Sequence, residues 1–195
     1  ESGVRYRLEG YLFPATYGYG KDSKMEDLVD QMLAAMDQNL SAYYDTMEAK
    51  NIDVNEVLTL ASLIEKEGAT DKDRKDIASV FYNRLNQDMP LQSNIAILYA
   101  QGQLGKKTTL KEDATIDTNI DSPYNIYKNT GLMPGPVDSP GVSAIEAAVN
   151  PSKTDYLYFV ANVETGEVYF AKTYEEHTKN VEEHVNSKLT ESSSN

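Results

Sequence analysis

The segment "DVNEVLTLASLIEKEG", residues 53 to 68, constrains the fold most, because it predicts a helix with a strongly apolar face and defined ends. Asp53 and Glu56 have the spacing of a capping box, in which each side chain satisfies a backbone amide of the first turn. Gly68 is a typical residue at the end of a helix. Four residues form the apolar stripe of this helix: Val57, Leu60, Ala61 and Ile64. Such a helix requires a core on which the stripe can pack.

Four other segments also have apolar residues at helical spacing. The first, "SKMEDLVDQMLAAMDQNLSAYYDTM", begins at Ser23, a suitable N-cap, and the second, "TDKDRKDIASVFYNRLNQ", is ended by Pro90. The third, "SNIAILYAQGQLG", is interpreted as a short helix, although its Ile-rich centre would also suit a strand. The fourth, "SPGVSAIEAAVN", predicts a helix with Pro140 or Ser143 near its start.

Residues 108 to 141 are rich in Asp, Asn, Thr, Pro and Gly, and they predict a long loop. Loops of this length are uncommon in compact domains unless they line a functional surface. After the loop, "DYLYFVANVETGEVYFAKT" predicts a β-hairpin, because apolar residues alternate on both sides of "ETGE". We therefore predict an α+β fold, with a larger helical part and a smaller β-sheet part that includes this C-terminal hairpin.

The chain is long enough for one domain with a substantial core. We expect residues 1 to 22 to be the end of a preceding segment that leads into the domain, residues 23 to 186 to form the domain, and residues 187 to 195 to be a disordered tail. The opening "ESGVRYRLEG" has neither an initiating Met nor a signal peptide, so we expect a fragment of a longer protein.

Charge and composition exclude several classes of function. The formal net charge of −13 argues against a nucleic-acid partner, which requires a basic surface. The chain has no cysteine, which excludes disulfides, thiolate metal sites and cysteine nucleophiles. Its two histidines, His177 and His184, are seven residues apart, whereas zinc proteases space theirs by four. We interpret their segment as a solvated amphipathic helix and expect neither a metal nor a cofactor.

Two carboxylates, Glu65 and Glu67, lie at the end of the apolar helix. At 100° per residue, they fall on opposite edges of the stripe, and Lys66 points away from it. A glutamate at such an edge can be partly desolvated, which raises its pKa and allows it to donate a proton near neutral pH. The alternative is an ordinary surface carboxylate in a last helical turn. Helical geometry alone does not choose between the two glutamates.

Several motifs together resemble the YceG-like family of endolytic murein transglycosylases. They are "LEGYLFPATY", "LASLIEKEG", "ASVFYNRLNQDMPLQSN", "DSPYNIYKNTGLMPGPVDSPGVSAIEAAVNPSKTDYLYFV" and "VYFAKTYEEHTKNV", in order from Leu8 to Val181. The resemblance implies non-hydrolytic cleavage within peptidoglycan glycan strands, between N-acetylmuramic acid and N-acetylglucosamine. It also implies that Glu65, the first glutamate of "EKE", is the acid/base, with Glu67 as the alternative. The C6 hydroxyl of the muramic acid would close on C1 to form a 1,6-anhydro end, so no second carboxylate would be needed to activate water.

The resemblance also directs attention to polar residues that could bind sugar hydroxyls and N-acetyl groups. They are Gln92, Asn94, Tyr124, Asn125 and Tyr127. Their alternative role is to stabilise loops through bonds to the backbone. The chain departs from many relatives at residues 93 to 95, where Ser-Asn-Ile replaces the usual Asp-Pro pair, so no carboxylate function can be transferred to that position.

For the whole protein, the resemblance implies one membrane-spanning helix ahead of this fragment, an extracytoplasmic catalytic domain, and partners among the peptidoglycan synthases and the elongation machinery. Two other functions remain open at this stage. A lysozyme-like hydrolase would act on the same substrate with water, and a glycan-binding scaffold of the synthesis machinery would bind the strand without cleaving it.

Overall fold

The structure, a computed structural model, describes residues 3 to 105, 110 to 162 and 164 to 187. These residues form a helical body with a two-stranded antiparallel sheet, so the predicted α+β fold is confirmed. The helices are α1 (Met25–Leu40), α2 (Tyr44–Lys50), α3 (Val54–Glu67), α4 (Asp71–Leu85), α5 (Asn94–Ala100), α6 (Leu110–Ala114), α7 (Val142–Val149) and α8 (Tyr174–Val181). The strands are β1 (Tyr158–Ala161) and β2 (Val168–Ala171). Within the described ranges, no helix is both long enough and apolar enough to cross a bilayer.

Helix α3 lies at the centre of the core, since every residue from Val57 to Ile64 is buried. The predicted capping box is confirmed: the amide of Glu56 donates to the Asp53 side chain at 2.8 Å, and the Glu56 side chain accepts from the Asp53 amide at 2.9 Å. Gly68 follows the helix as its C-cap. Helices α7 and α4 pack against α3. Burial of one large apolar side chain contributes about 1.5 to 3 kcal/mol, so this packing holds the last turn of α3 firmly.

The predicted first helix differs from the structure at its start and in its continuity. Ser23 is not the N-cap; its hydroxyl accepts from the Gly20 amide in the preceding turn, and Lys24 precedes α1 without a side-chain cap. The helix also breaks after Leu40 into a short 3-10 segment and α2. Both Leu40 and Met47 are buried, so the break directs both segments towards the core.

The segment "SNIAILYAQGQLG", whose centre would also suit a strand, forms the helix α5. The hydroxyl of Ser93 accepts from the Ile95 amide at 3.2 Å and caps its first turn. The interpretation of residues 108 to 141 as loop throughout is wrong at one place, because α6 lies within it. Most of the predicted tail, residues 188 to 195, lies outside the described residues.

The predicted hairpin is confirmed, with Tyr158 paired to Ala171 and Ala161 paired to Val168. It joins the helical body through Phe159, whose ring meets that of Phe81 edge to face at 5.7 Å. Helix α8 packs on both strands. The predicted solvated helix therefore has one face against the sheet, where His177 stacks on Tyr158 at 5.3 Å.

Gly10 connects the N-terminal segment to the loop that precedes α7. Its φ of 83° is left-handed, and an added Cβ would lie 2.3 Å from Cβ of Pro136. We expect Gly10→Ala to lower the free energy of unfolding by about 2 kcal/mol or more, through backbone strain and overlap together. Urea unfolding measures the change. Gly18→Ala is the matched control, because no described atom beyond its chain neighbours lies within 4 Å of the added methyl group. Equal loss in both variants would contradict the prediction.

Candidate active site

A cleft of about 920 Å³ runs between the helical body and the hairpin. The end of α3 forms one wall, residues at the start of α5 and in α6 form a second, and β1 with α8 forms a third. The hairpin contributes an apolar surface that includes Phe159 and Val160, and the polar residues Asn162 and Glu164 at its turn. The polar residues that line the cleft include Glu67, Arg84, Gln92, Asn94, Asp113 and Tyr127.

Glu67 is the last residue of α3, and its carboxyl group faces the cleft. Its Oε1 accepts a hydrogen bond from the hydroxyl of Ser93 at 2.6 Å. Burial raises the pKa of Glu67 to about 7; the Ser93 hydrogen bond opposes this change, and the charge of Asp113 adds to it. A carboxyl group with a pKa near neutrality can both donate and accept a proton at physiological pH.

Glu65 has a different environment, at the junction of α3 and α7. Its Oε2 accepts from the backbone amide of Gly141, the N-cap residue of α7, at 3.0 Å. Its other oxygen lies 3.7 Å from Nη2 of Arg74. A carboxylate at a helix N-terminus stabilises the partial positive charge there. The described residues that line the cleft do not include Glu65, so its contacts are those of a residue that joins two helices.

A chain of hydrogen bonds crosses the floor of the cleft beside Glu67. The hydroxyl of Tyr127 donates to Oδ1 of Asn94 at 2.7 Å, and Nδ2 of Asn94 donates to Oδ1 of Asp113 at 3.1 Å. Burial raises the pKa of Tyr127, so its phenol remains a donor. Burial also raises the pKa of Asp113, whereas the Asn94 hydrogen bond opposes that rise. Two of the predicted sugar-binding residues, Asn94 and Tyr127, are thus brought together here.

Gln92 also lines the cleft, in a strained backbone conformation with φ of 59°. Its backbone amide donates to the Ile126 carbonyl at 3.0 Å, and its side-chain Oε1 accepts from Nη1 of Arg84 at 3.3 Å. A non-glycine residue in this region persists only where its surroundings hold it. Gln92 is therefore placed by both the long loop and α4.

Tyr124 and Asn125, also predicted to bind sugar, lie in the protein interior and outside the described lining of the cleft. The Tyr124 ring packs against Tyr99 with centroids 4.9 Å apart. Nδ2 of Asn125 donates to the carbonyls of Thr118 and Ile120 at 3.0 and 2.7 Å. These contacts match the alternative role, in which polar side chains stabilise the loop.

Arg84 supports the cleft from beneath and is only 5% exposed. Its Nε donates to the Leu157 carbonyl at 2.6 Å, and its Nη1 donates to the Pro90 carbonyl at 2.8 Å. The guanidinium group also lies 5.0 Å from the centre of the Tyr158 ring. Arg84 therefore ties the segment that precedes β1 to the segment that carries Gln92 and Ser93.

Sequence reasoning missed Asp113, Ser93 and the position of Arg84 beneath the cleft. The only available signal for Asp113 was its position in the long loop, since loops of that length usually line a functional surface. Ser93 could have been identified as an N-cap, because it directly precedes a short apolar helix. Nothing in the local sequence indicates that Ser93 contacts a carboxylate 26 positions earlier.

Comparison with known proteins gives consistent matches over most of the chain. The model of the YceG-like family matches residues 1 to 183. A protein of Streptococcus pneumoniae named endolytic murein transglycosylase is 67% identical over 189 residues, which cover 97% of this chain and 34% of that protein. A protein of the same name from Bacillus subtilis is 47% identical over 186 residues, covering 95% of this chain and 50% of that protein.

A solved structure supports the same relationship. The crystal structure of a YceG-like protein from Listeria monocytogenes matches with a TM-score of 0.82 and 49% identity, covering 92% of this chain and 57% of that chain. The chain spans between a third and a half of the length of the two curated relatives. Since the family model and these relatives match nearly all of its residues, the chain belongs to the YceG-like family.

Proposed function

We propose that this chain carries the catalytic site of an endolytic lytic transglycosylase, which cleaves peptidoglycan glycan strands between N-acetylmuramic acid and N-acetylglucosamine. The observation that supports it most is the environment of Glu67, a carboxyl group of the cleft whose pKa burial raises to about 7. Relatives named endolytic murein transglycosylase supply the substrate class.

Glu67 is the proposed acid/base, in preference to Glu65. Proton transfer requires a group within reach of the substrate, and Glu67 lines the cleft whereas Glu65 is bound to the start of α7. In the first half of the reaction, the protonated Glu67 gives its proton to the glycosidic oxygen as the bond to C1 breaks. Positive charge then develops on the muramic acid ring, as in other glycosidic cleavages.

In the second half, the Glu67 carboxylate accepts the proton of the C6 hydroxyl of the same sugar, and that oxygen bonds to C1. The products are a 1,6-anhydro end and a strand with a free 4-hydroxyl. No water is consumed, and the enzyme regains its proton for the next cycle. One carboxyl group thus serves as acid and then as base, which suits a pKa near the operating pH.

The cleft also has the groups that sugar binding requires. Sugars combine hydroxyl and amide groups with apolar ring faces, and binding sites for such ligands pair placed polar groups with apolar or aromatic walls. Gln92, Asn94 and Tyr127 supply the polar groups, and Phe159 supplies an aromatic surface on the opposite wall. We propose that these three polar residues bind the strand on either side of the cleaved bond.

Mass spectrometry of digested peptidoglycan tests the proposed function. Anhydro-muramic acid at new chain ends is expected, with fragments whose lengths show cuts within strands. Reducing muramic acid ends would instead support a hydrolase, an alternative favoured by Asp113, another carboxyl group of the cleft, which could orient a water. Binding of strands without new ends would support a scaffold role.

We expect kcat/KM to depend on pH through Glu67. Because the pKa of Glu67 is raised to about 7, the acid form predominates below that value and is lost above it. The rate should be nearly constant from about pH 5 to about pH 6 and fall about tenfold per unit well above pH 7. Initial rates on soluble glycan strands measure the profile. A decline already centred near pH 4.5 would contradict the assignment.

For the whole protein, we propose anchorage by a membrane-spanning helix outside this fragment, with the domain extracytoplasmic and acting beside peptidoglycan synthases and the elongation machinery. The support is the family resemblance. Fractionation of cells that produce the full-length protein, combined with protease accessibility of this domain, tests the location. Crosslinking in the same cells tests the synthase contact, and recovery of the protein in the soluble cytoplasmic fraction would refute the anchorage.

A further inference from the structure

Glu67 and Asp113, two of the carboxyl groups that line the cleft, are held by consecutive residues of one segment. Ser93 donates to Glu67, and Asn94 donates to Asp113. The Tyr127 hydroxyl fixes the amide of Asn94 by donating to its oxygen, which leaves the Asn94 nitrogen directed at Asp113. The position of Asp113 relative to Glu67 is thus determined by a connected set of hydrogen bonds.

The Asp113 carboxylate accepts a hydrogen bond from Asn94 but has no counter-ion among the described residues. Among the described residues, no Lys or Arg lies within ion-pair distance of it, whereas Asp71, Asp76, Asp138 and Asp155 each have such a partner. A half-buried carboxylate without a counter-ion is unfavourable for stability. Groups of this kind are concentrated at functional sites.

We propose that Asp113 is a positioning residue for the reaction, an ionised carboxylate that adds to the effect of burial in keeping the proton on Glu67 at neutral pH and makes the Glu67 carboxylate a stronger base after the proton has left. This inference rests on the proposed function of Glu67. It assigns different states to the two groups: Asp113, which accepts from an amide, stays charged, and Glu67 carries the exchangeable proton.

The other charges of the cleft do not provide this effect. Among the described residues, the titratable groups that face Glu67 from the surrounding elements are Arg84, Asp113, Tyr127, Glu164 and His177, with Lys66 beside it on α3. Lys66 is paired with Asp138 at 2.9 Å. Burial raises the pKa of Tyr127, and burial together with the charge of Arg84 lowers the pKa of His177, so both are neutral at pH 7. Glu164 is exposed in the hairpin turn, where solvent screens its charge.

Asp113→Asn tests the proposal, because it removes the charge while the new amide oxygen can still accept from Asn94. The apparent pKa of Glu67 should fall by on the order of one unit. We expect activity close to wild type at about pH 5 and about tenfold lower activity at about pH 8, because the acid form of Glu67 is then depleted tenfold. The matched control is Asp121→Asn, which removes an exposed carboxylate that is not part of the described cleft lining.

Two further measurements separate this effect from a structural one. Carbon-13 NMR of the side-chain carboxyl groups, with Glu67 assigned by comparison with Glu67→Gln, should show the lowered pKa in the absence of substrate. Asp113→Glu should restore part of the wild-type profile, because it restores the charge. An equal loss of activity at both pH values, or an unchanged Glu67 titration, would overturn the proposal.

Failure of this inference and failure of the proposed function can be distinguished. Activity that survives Glu67→Gln would refute the role of Glu67 itself, whatever Asp113→Asn does. An inactive Glu67→Gln together with a wild-type pH profile for Asp113→Asn would refute only the role of Asp113.

Discussion

Glu67→Gln is expected to lower kcat at least about a thousandfold, because the amide can neither donate the proton to the glycosidic oxygen nor accept it from the C6 hydroxyl. The matched variant Glu65→Gln should retain activity within about tenfold of wild type. Its amide oxygen can still accept from the Gly141 amide, although the loss of charge beside α7 should lower stability by about 0.5 to 1 kcal/mol. Release of anhydro-muramic acid ends from purified strands measures both activities.

The two variants also differ in how their stability depends on pH. The folded protein raises the pKa of Glu67 from 4.5 to about 7, so between these values the folded state binds more protons than the unfolded chain. Wild-type stability should therefore contain a contribution that is present below pH 4.5 and is lost as pH rises through 7. Glu67→Gln lacks this titration and should be relatively more stable than wild type above pH 7, which unfolding in urea at two pH values measures.

If Glu65→Gln abolishes cleavage while Glu67→Gln remains active, the assignment is reversed. Glu65, the first glutamate of "EKE", would then be the acid/base, as the family resemblance implies. Loss of activity in both variants with normal folding would mean that the junction of α3 and α7 also takes part in the reaction. Circular dichroism of each variant distinguishes loss of chemistry from loss of structure.

The contrast between these glutamates shows what local sequence can predict here. Helix α3 was predictable because Asp53, Glu56 and Gly68 act within a few residues of the helix, and its apolar stripe is periodic. The helix also placed Glu65 and Glu67 on opposite edges of the stripe. The identity of the edge that faces the cleft depends on Ser93 and Gly141, which lie 26 and 76 positions away along the chain from their partners. Tertiary packing therefore decides which glutamate faces the cleft, and the local spacing of residues does not predict it.

Tertiary packing also decides which of the predicted sugar-binding residues lie in the cleft and which lie in the core. Tyr124 and Tyr127 belong to one segment of the long loop, yet Tyr124 packs against Tyr99 in the core and Tyr127 reaches Asn94 in the cleft. Between them, the side-chain nitrogen of Asn125 donates to two backbone carbonyls of its own loop. In an irregular loop, no fixed period relates position to exposure, so composition predicted the presence of a functional surface but not the side chains that face it.

Arg84→Met is expected to lower the free energy of unfolding by about 3 kcal/mol and to impair cleavage as well. The Met side chain fills much of the same space, but the carbonyls of Leu157 and Pro90 lose a charged donor in a buried setting. A hydrogen bond to a charged group contributes about 1.5 to 3 kcal/mol, and part of this is offset because the guanidinium no longer has to be buried. Urea unfolding measures the stability, and strand cleavage measures the activity.

Two control variants separate geometry from charge. Arg84→Lys keeps the charge, but one ammonium group cannot span two carbonyls in the manner of a planar guanidinium, so we expect an intermediate loss of stability. Arg7→Met removes a charge at an exposed position and should change stability by less than about 0.5 kcal/mol. If Arg84→Met is as stable as wild type but inactive, the role of Arg84 is to position Gln92 and Ser93 and not to stabilise the fold. The helical body would then be stable without this contact, and the alignment of the cleft alone would depend on it.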